Sequence, residues 1–146
     1  MDIFLARHAA KNAQLGLSMT WVLLDDDIRE REKYRVAAYY TLAGSTVTGE
    51  TLPTNQALPP YPVPVTLLAR LAVSEDYQGR GLGEKTLVTA LRQSVFLSDQ
   101  GLPSFGVVFD VLDEEALRFY QRFDMFHSFS NNPMRLFVPM QMIRKL

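Results

Sequence analysis

Cysteine is absent from the 146-residue chain, and only two histidines are present. The chain therefore has no disulfide framework, no thiolate ligand for zinc and no cysteine that could carry an acyl group. A reducing, cytoplasmic compartment is the ordinary location of such a protein, and we expect it here. No spacing of His, Asp and Glu residues indicates a metal site, so we predict no metal.

The sequence also lacks a large excess of either positive or negative charge, and it lacks a long apolar run. The 15 Lys and Arg residues balance 16 Asp and Glu residues, so any contact with nucleic acid needs a local basic surface. The most apolar stretch, residues 63–73, contains Arg70 and is about half as long as a bilayer span. The first residues lack the basic and apolar regions of a secretory signal. We expect no membrane contact.

The length of the chain predicts a single domain over residues 1–146. Hydrophobic spacing predicts both helices and strands, which indicates an α/β (α+β) fold. Helices are predicted at 3–17, in the segment that contains Leu87, Leu91 and Val95, and at 114–123. Asp113 directly precedes the last of these and is placed as its N-cap. Strands are predicted at 20–24, 34–42, 65–73, 105–109 and 134–138.

Two segments lack a regular hydrophobic pattern. The segment from Asp25 to Lys33 is densely charged with both signs, which is typical of a solvated turn between two hairpin strands. The segment from Ala43 to Pro64 contains five prolines and is predicted to be irregular, because proline neither extends a helix nor pairs in a central strand. A loop of this length in a compact domain is usually functional or mobile.

The clearest chemical signal is the glycine-rich segment Gln78–Gly83, between a predicted strand and a predicted helix. Its glycines let the backbone approach a ligand closely, and successive N–H groups at a helix start attract phosphate. The alternative is a tight turn in which glycine serves geometry alone. A P-loop is excluded because Glu84, not Gly, precedes Lys85, and a dinucleotide fingerprint is excluded by the spacing of the glycines.

The same segment matches the acetyl-coenzyme A loop of the GNAT acetyltransferases, usually written Gln/Arg-x-x-Gly-x-Gly/Ala. The chain resembles this family over essentially its whole length, and within the family it is most similar to the toxins of bacterial toxin–antitoxin pairs. The segments that carry the resemblance are Arg70–Val73 with Tyr77–Gly83, Glu115–Tyr120, Ala37–Ala43, Val63–Val65 and Met134–Met140.

The resemblance implies a single GNAT-like domain with a central mixed, mostly antiparallel sheet flanked by helices. Members of the family usually have a further strand before the first helix, and we expect that strand to be missing here, because this sequence starts almost directly on a predicted helix. The resemblance also implies that acetyl-CoA is the co-substrate. The residues it assigns to the coenzyme are Leu71, Ala72, Val73, Gln78, Gly79, Arg80, Gly81, Leu82 and Gly83.

Tyr120 is the candidate catalytic acid, because the resemblance places it near the thiol of the coenzyme. Without the resemblance, an aromatic residue packed beside Phe119 and Phe123 is the simpler interpretation. Tyr39 and Tyr40 are interpreted as structural, and His8 and His127 as surface or half-buried residues rather than bases.

The resemblance further implies that the acceptor is the α-amino group of aminoacyl-tRNA, and that its acetylation stops translation. A ribbon-helix-helix antitoxin and a second copy of the chain are the other implied partners. Residues 116–146 contain five basic residues against one acidic residue, Asp124. The candidate RNA-binding residues are Arg7 and Lys11, one turn apart on the first helix, and Arg118, Arg122 and Arg135.

Two other functions stay open on the sequence. One is a GNAT acetyltransferase that acts on a small amine or on a protein N-terminus. The other is a catalytically inactive module that keeps the fold and binds a partner.

Overall fold

The structure, a computed structural model, describes residues 2–30 and 33–146. It consists of two compact units, Met1–Ala43 with Leu68–Ala90, and Gly44–Leu67 with Leu91–Leu146. The helices of the described part are α1 (Asp2–Phe4), α2 (Ala10–Gln14), α3 (Leu82–Asp99), α4 (Glu114–Gln121) and α5 (Met140–Ile143); a π-helical turn covers Leu5–Ala9, and 3₁₀ turns cover Gly49–Thr51 and Glu75–Tyr77.

Six strands in the described residues form one sheet in the order β1-β2-β3-β4-β6-β5. The strands are β1 (Met19–Glu30), β2 (Lys33–Val47), β3 (Val63–Val73), β4 (Gly106–Asp110), β5 (His127–Phe129) and β6 (Asn132–Pro139). The pairs β1–β2, β4–β6 and β5–β6 are antiparallel, whereas β3–β4 is parallel. The predicted mixed, mostly antiparallel sheet is confirmed.

In the first unit, aromatic side chains fix the N-terminal helical segment and the hairpin. Phe4 is buried and stacks on Tyr39 with 6.0 Å between ring centroids, and the guanidinium of Arg70 lies 4.1 Å above the Phe4 ring. Across the hairpin, Trp21 stacks on Tyr40 at 5.4 Å. The segment predicted as a helix over 3–17 is helical, although it contains a π-helical turn and its last α-helical residue is Gln14.

The prediction of a solvated turn from Asp25 to Lys33 is wrong. β1 continues to Glu30 and β2 begins at Lys33, so the strands extend through the charged segment, and residues 31 and 32 lie outside the described residues. Asp25 lies opposite Arg35 in the β1–β2 register. A cross-strand pair of opposite charge stabilises a hairpin, so the mixed charges support strand pairing.

In the second unit, β4 lies between β3 and β6, and its residues Gly106–Phe109 are buried. A Cβ atom at Gly106 would lie 2.4 Å from Cε1 of Phe137, so only glycine fits between the strands at this point. The core beside it consists of Leu52, Val63, Val65, Val108, Phe129 and Phe137. The predicted strands over 105–109 and 134–138 are confirmed as β4 and β6.

The irregular segment of the second unit is shorter than predicted, because β2 extends to Val47 and β3 begins at Val63. Residues 48–62 are not a free loop: Leu58 packs close to Gly49, where a Cβ atom would lie 3.1 Å from Cβ of Leu58. In the described part of the chain, no helix has the length and apolar character needed to cross a bilayer.

Candidate active site

The glycine-rich segment follows β3 and leads directly into α3. Directly after β3, Ser74 N–H donates to the carbonyl oxygen of Ala37 on β2 at 2.8 Å, and a 3₁₀ turn over Glu75–Tyr77 leads into the loop. Gly79 has φ +80° and Gly81 has φ +74°. L-residues with a side chain adopt this left-handed conformation at a cost, so the turn requires glycine at both positions.

The space around the two left-handed glycines is open. A Cβ atom at Gly79 or Gly81 would meet nothing within 4 Å, and Gln78 to Gly81 are exposed. Their N–H groups lie at the N-terminus of α3, an 18-residue helix whose macrodipole attracts anions. This geometry leaves the N–H groups accessible to an anion such as a pyrophosphate group.

Gly83 differs from the other two glycines of the loop. It lies within α3, and a Cβ atom there would make an ordinary contact at 3.9 Å with Cγ2 of Val73. Its backbone does not need glycine, so the third glycine contributes space near the strand end rather than a special conformation.

Hydrogen bonds join the loop to both of its neighbouring elements. The side-chain amide of Gln78 donates to the carbonyl oxygen of Val73 at 3.2 Å, and Lys85 N–H donates to the carbonyl oxygen of Gly81 at 3.2 Å. Leu71, Ala72 and Val73 are half-buried at the end of β3. The first part of β3 is more deeply placed, and its residues Val63, Val65 and Leu68 are buried.

Tyr77, directly before the loop, is buried and donates its hydroxyl to the Asp25 carboxylate on β1. The hydrogen bond to Asp25 raises the pKa of Tyr77 above its ordinary value, burial adds to the rise, and Arg35 opposes it. The guanidinium of Arg80 lies over the Tyr77 ring, 5.4 Å from its centroid. Sequence reasoning missed Asp25 and Arg35, because their partners lie about 40 to 50 residues away in the chain.

Tyr120 lies in the second unit, on α4. The helix begins where Ala116 N–H donates to Oδ1 of Asp113 at 2.7 Å, so the predicted N-cap is confirmed. The Tyr120 ring packs against Phe109, with centroids 4.7 Å apart, and against Phe126 at 5.7 Å.

The surroundings of the Tyr120 hydroxyl differ from those of the packed ring. It has no hydrogen-bond partner among the described residues, and because none of their fully buried polar atoms lacks a partner, the oxygen keeps some contact with solvent. Partial burial of the side chain, which removes solvent from around the hydroxyl, raises the pKa of Tyr120 above its ordinary value. The side chain is thus a rigidly held phenol that stays protonated at neutral pH and has a free donor.

The candidate RNA-binding residues divide between the units. Arg7 and Lys11 are exposed on the N-terminal helical segment, and Arg118 and Arg122 are exposed one turn apart at α4. The guanidinium of Arg122 lies 4.7 Å from the Phe119 ring centroid. Arg135 differs, because its guanidinium donates to both carboxylate oxygens of Asp110, at 2.8 and 3.0 Å.

The remaining polar aromatic residues take the structural roles expected of them. Tyr39 and Tyr40 are buried and stacked, while His8 and His127 are exposed. Among the described residues, no group of His, Asp and Glu is arranged to hold a metal ion.

Comparison with known proteins agrees with this geometry. The model of the acetyltransferase (GNAT) family matches residues 6–125. The tRNA-acetylating toxin of Mycobacterium tuberculosis (strain ATCC 25618 / H37Rv) is 34% identical over 148 residues, covering 100% of this chain and 83% of the toxin. The structure of AtaT complexed with acetyl-methionyl-tRNAfMet has a TM-score of 0.84 at 25% identity, over 98% of this chain and 83% of that one. AtaTR bound with AcCoA has a TM-score of 0.79 at 26% identity, over 99% and 83%.

Proposed function

This chain belongs to the GNAT acetyltransferase family, and on that premise we propose that it transfers the acetyl group of acetyl-CoA to the α-amino group of aminoacyl-tRNA. Acetylated aminoacyl-tRNA cannot extend a peptide through that nitrogen, so the protein acts as a toxin that blocks translation. The observation that carries the proposal is the open loop with two left-handed glycines at the start of α3. The 34% identity to a tRNA-acetylating toxin supports the choice of acceptor.

The coenzyme pyrophosphate binds to the N–H groups of the loop. The left-handed conformations of Gly79 and Gly81 orient these N–H groups toward the phosphates. Gly83 leaves space beside Val73, and the side chain of Gln78 joins the loop to β3. The exposed guanidinium of Arg80 supplies positive charge. Leu71, Ala72 and Val73 are proposed to contact the pantetheine arm, and a backbone N–H among them to polarise the thioester carbonyl.

The acceptor amine needs no strong base in the protein. An α-amino group has a pKa of about 7.7–8.0, and the ester bond to tRNA lowers it by electron withdrawal, so an appreciable fraction is neutral at pH 7. The neutral nitrogen attacks the thioester carbon, the carbon–sulfur bond breaks, and water takes the proton that the nitrogen loses. The exposed positions of His8 and His127 agree with a mechanism in which neither acts as the base.

Tyr120 is proposed to donate its proton to the leaving thiolate. Its pKa lies above the ordinary value of 10.0, so it is protonated when the thiolate forms, and its hydroxyl has no competing partner among the described residues. The proton lost by the amine to water restores the phenol, and the products are the amide and the free thiol. General-acid assistance of this kind is worth about 10²–10⁴-fold in rate.

The tRNA backbone is proposed to contact the exposed cations Arg7, Lys11, Arg118 and Arg122. Contacts of this type supply affinity through counterion release and do not read sequence. Arg135 belongs to the same proposed surface, but a phosphate there competes with Asp110.

A ribbon-helix-helix antitoxin and a second copy of this chain are the proposed protein partners. The edge position of β1 supports dimer formation, because Met19, Val22 and Leu24 on this strand are exposed. An edge strand with exposed apolar side chains is a surface that a partner commonly covers.

The direct test is transfer of labelled acetyl from acetyl-CoA to a pool of charged tRNA, followed by identification of the modified amino acid. Label on the aminoacyl end is the expected result, with an uncharged pool as the control. Label on free amines or protein N-termini, with none on tRNA, would replace the proposed acceptor with the first alternative. Absence of acetyl-CoA binding in calorimetry would leave only an inactive partner-binding module.

A further inference from the structure

Two hydrogen bonds, through the Gln78 side chain and the Gly81 carbonyl, join the glycine-rich loop to its neighbouring elements, and its left-handed glycines add no side-chain contacts. Glycine is the most flexible residue, and apart from the chain neighbours of each glycine no atom lies within 4 Å of a Cβ position at Gly79 or Gly81. A loop that must be ordered by its ligand binds that ligand more weakly than a loop that is ordered beforehand. Its order must therefore come from the residues directly before it and after it.

The residues before the loop are held by the β1–β2 hairpin. Tyr77 is 8% exposed and its hydroxyl donates to the carboxylate of Asp25 on β1. Asp76 accepts from Nη1 of Arg35 on β2 at 3.4 Å. Asp25 and Arg35 face each other in the β1–β2 register, so one cross-strand pair holds two consecutive residues of the turn.

We propose that Asp25, Arg35 and Tyr77 form a positioning cluster that orders the pyrophosphate loop before the coenzyme binds. This inference rests on the proposed use of acetyl-CoA. The Tyr77 ring also contacts the loop, since the guanidinium of Arg80 lies over it at 5.4 Å from its centroid. The three residues act on the coenzyme through the loop and do not touch it.

The charges around the cluster explain why an arginine belongs to it. Asp25 and Asp76 are both negative and close to a loop that receives an anion, which by itself would weaken pyrophosphate binding. Arg35 lies opposite Asp25 in the strand register and 3.4 Å from the Asp76 carboxylate, and Arg80 adds a positive charge on the loop. Asparagine at position 25 would keep the acceptor for the Tyr77 hydroxyl and remove one negative charge.

The test compares two acetyl donors, acetyl-CoA and S-acetylpantetheine, which lacks the pyrophosphate. In Tyr77→Phe we expect the Kd of CoA to rise about tenfold, or ~1.4 kcal/mol, the scale of one charged hydrogen bond. We expect kcat with saturating acetyl-CoA and kcat/KM with S-acetylpantetheine to stay within about twofold of the wild type. Tyr61→Phe, which changes an exposed tyrosine, is the matched control.

The second pair of variants separates positioning from general damage. Asp25→Ala is expected to weaken CoA binding as Tyr77→Phe does, and Asp25→Asn to restore it to within about twofold of the wild type. An unchanged Kd in both Tyr77→Phe and Asp25→Ala would overturn the cluster. So would an equal loss with both donors, because that result indicates damage to the fold rather than to the pyrophosphate site.

The outcome also separates this inference from the proposed function. Calorimetry with CoA needs no tRNA, so a wrong acceptor leaves the test intact. A wild-type protein that binds no CoA would refute both ideas, whereas normal binding by the wild type and by both variants would refute the cluster alone.

Discussion

Replacing Tyr120 with phenylalanine removes one oxygen atom from a ring that stays packed. The ring contacts with Phe109 and Phe126, at centroid distances of 4.7 and 5.7 Å, are kept in the variant. The hydroxyl forms no hydrogen bond within the described part of the chain, so its removal leaves no buried group without a partner. We therefore expect the free energy of unfolding to change by less than about 0.5 kcal/mol.

The rate should respond far more strongly than the stability. If Tyr120 donates the proton to the thiolate, its loss lowers kcat about 10²–10⁴-fold, which corresponds to ~2.7–5.5 kcal/mol of transition-state stabilisation. The Kd of acetyl-CoA should stay nearly constant, because a general acid acts in the transition state rather than in the ground state. A large loss of kcat with little change in the free energy of unfolding distinguishes a catalytic role of the hydroxyl from a packing role.

The assay is single-turnover acetyl transfer across the pH range, with thermal unfolding of each variant in parallel. Because burial raises the pKa of Tyr120 above 10.0, the wild-type rate should fall only above that pH, and this alkaline limb should vanish in Tyr120→Phe. The acid limb, set by an amine with a reference pKa of about 7.7–8.0, should be shared by both proteins. A variant rate within threefold of the wild type, with an unchanged alkaline limb, would refute the assignment.

Three further substitutions test the loop, the cap and the core. Gly81→Ala forces an L-residue into φ +74°, at a cost of about 1–2 kcal/mol, and should raise the Kd of CoA about tenfold, whereas an unchanged Kd would contradict the need for glycine there. Asp113→Ala should lower the free energy of unfolding in urea by about 1 kcal/mol, and full stability there would refute the cap. Gly106→Ala places a Cβ atom 2.4 Å from the Phe137 ring, so a loss of about 3 kcal/mol or more is expected, and a melting temperature like the wild type's would contradict this.

The parts of the fold that the sequence predicts well are those set by local chemistry. Asp113 precedes a helical pattern and caps it, and the apolar runs around Val65, Val107 and Leu136 become strands. The loop from Gln78 was predictable for the same reason, since glycine at two left-handed positions leaves a signature in the sequence. Each of these patterns can be recognised within a segment of about ten residues.

The parts that were missed depend on partners distant in the chain. Asp25 belongs to a charged segment that is typical of a solvated turn, and only the contact with Tyr77, 52 residues later, gives it a place in the site. β5 has three residues, too few for a recognisable pattern, and exists because it pairs with β6. The π-helical turn at Leu5–Ala9 likewise has no local marker.

Charge counting from the sequence overstates the surface that is available to RNA. Residues 116–146 contain five basic residues, but Arg135 and Arg144 are held by carboxylates in two-point ion pairs. A phosphate that bound either of them would first have to replace a carboxylate already in place, so the net gain is small. Arg118 and Arg122 have no carboxylate partner among the described residues, and a phosphate adds a charge contact there without breaking one. If α4 contacts tRNA, these two residues should therefore supply most of the salt dependence of binding, about one unit of slope for each phosphate neutralised.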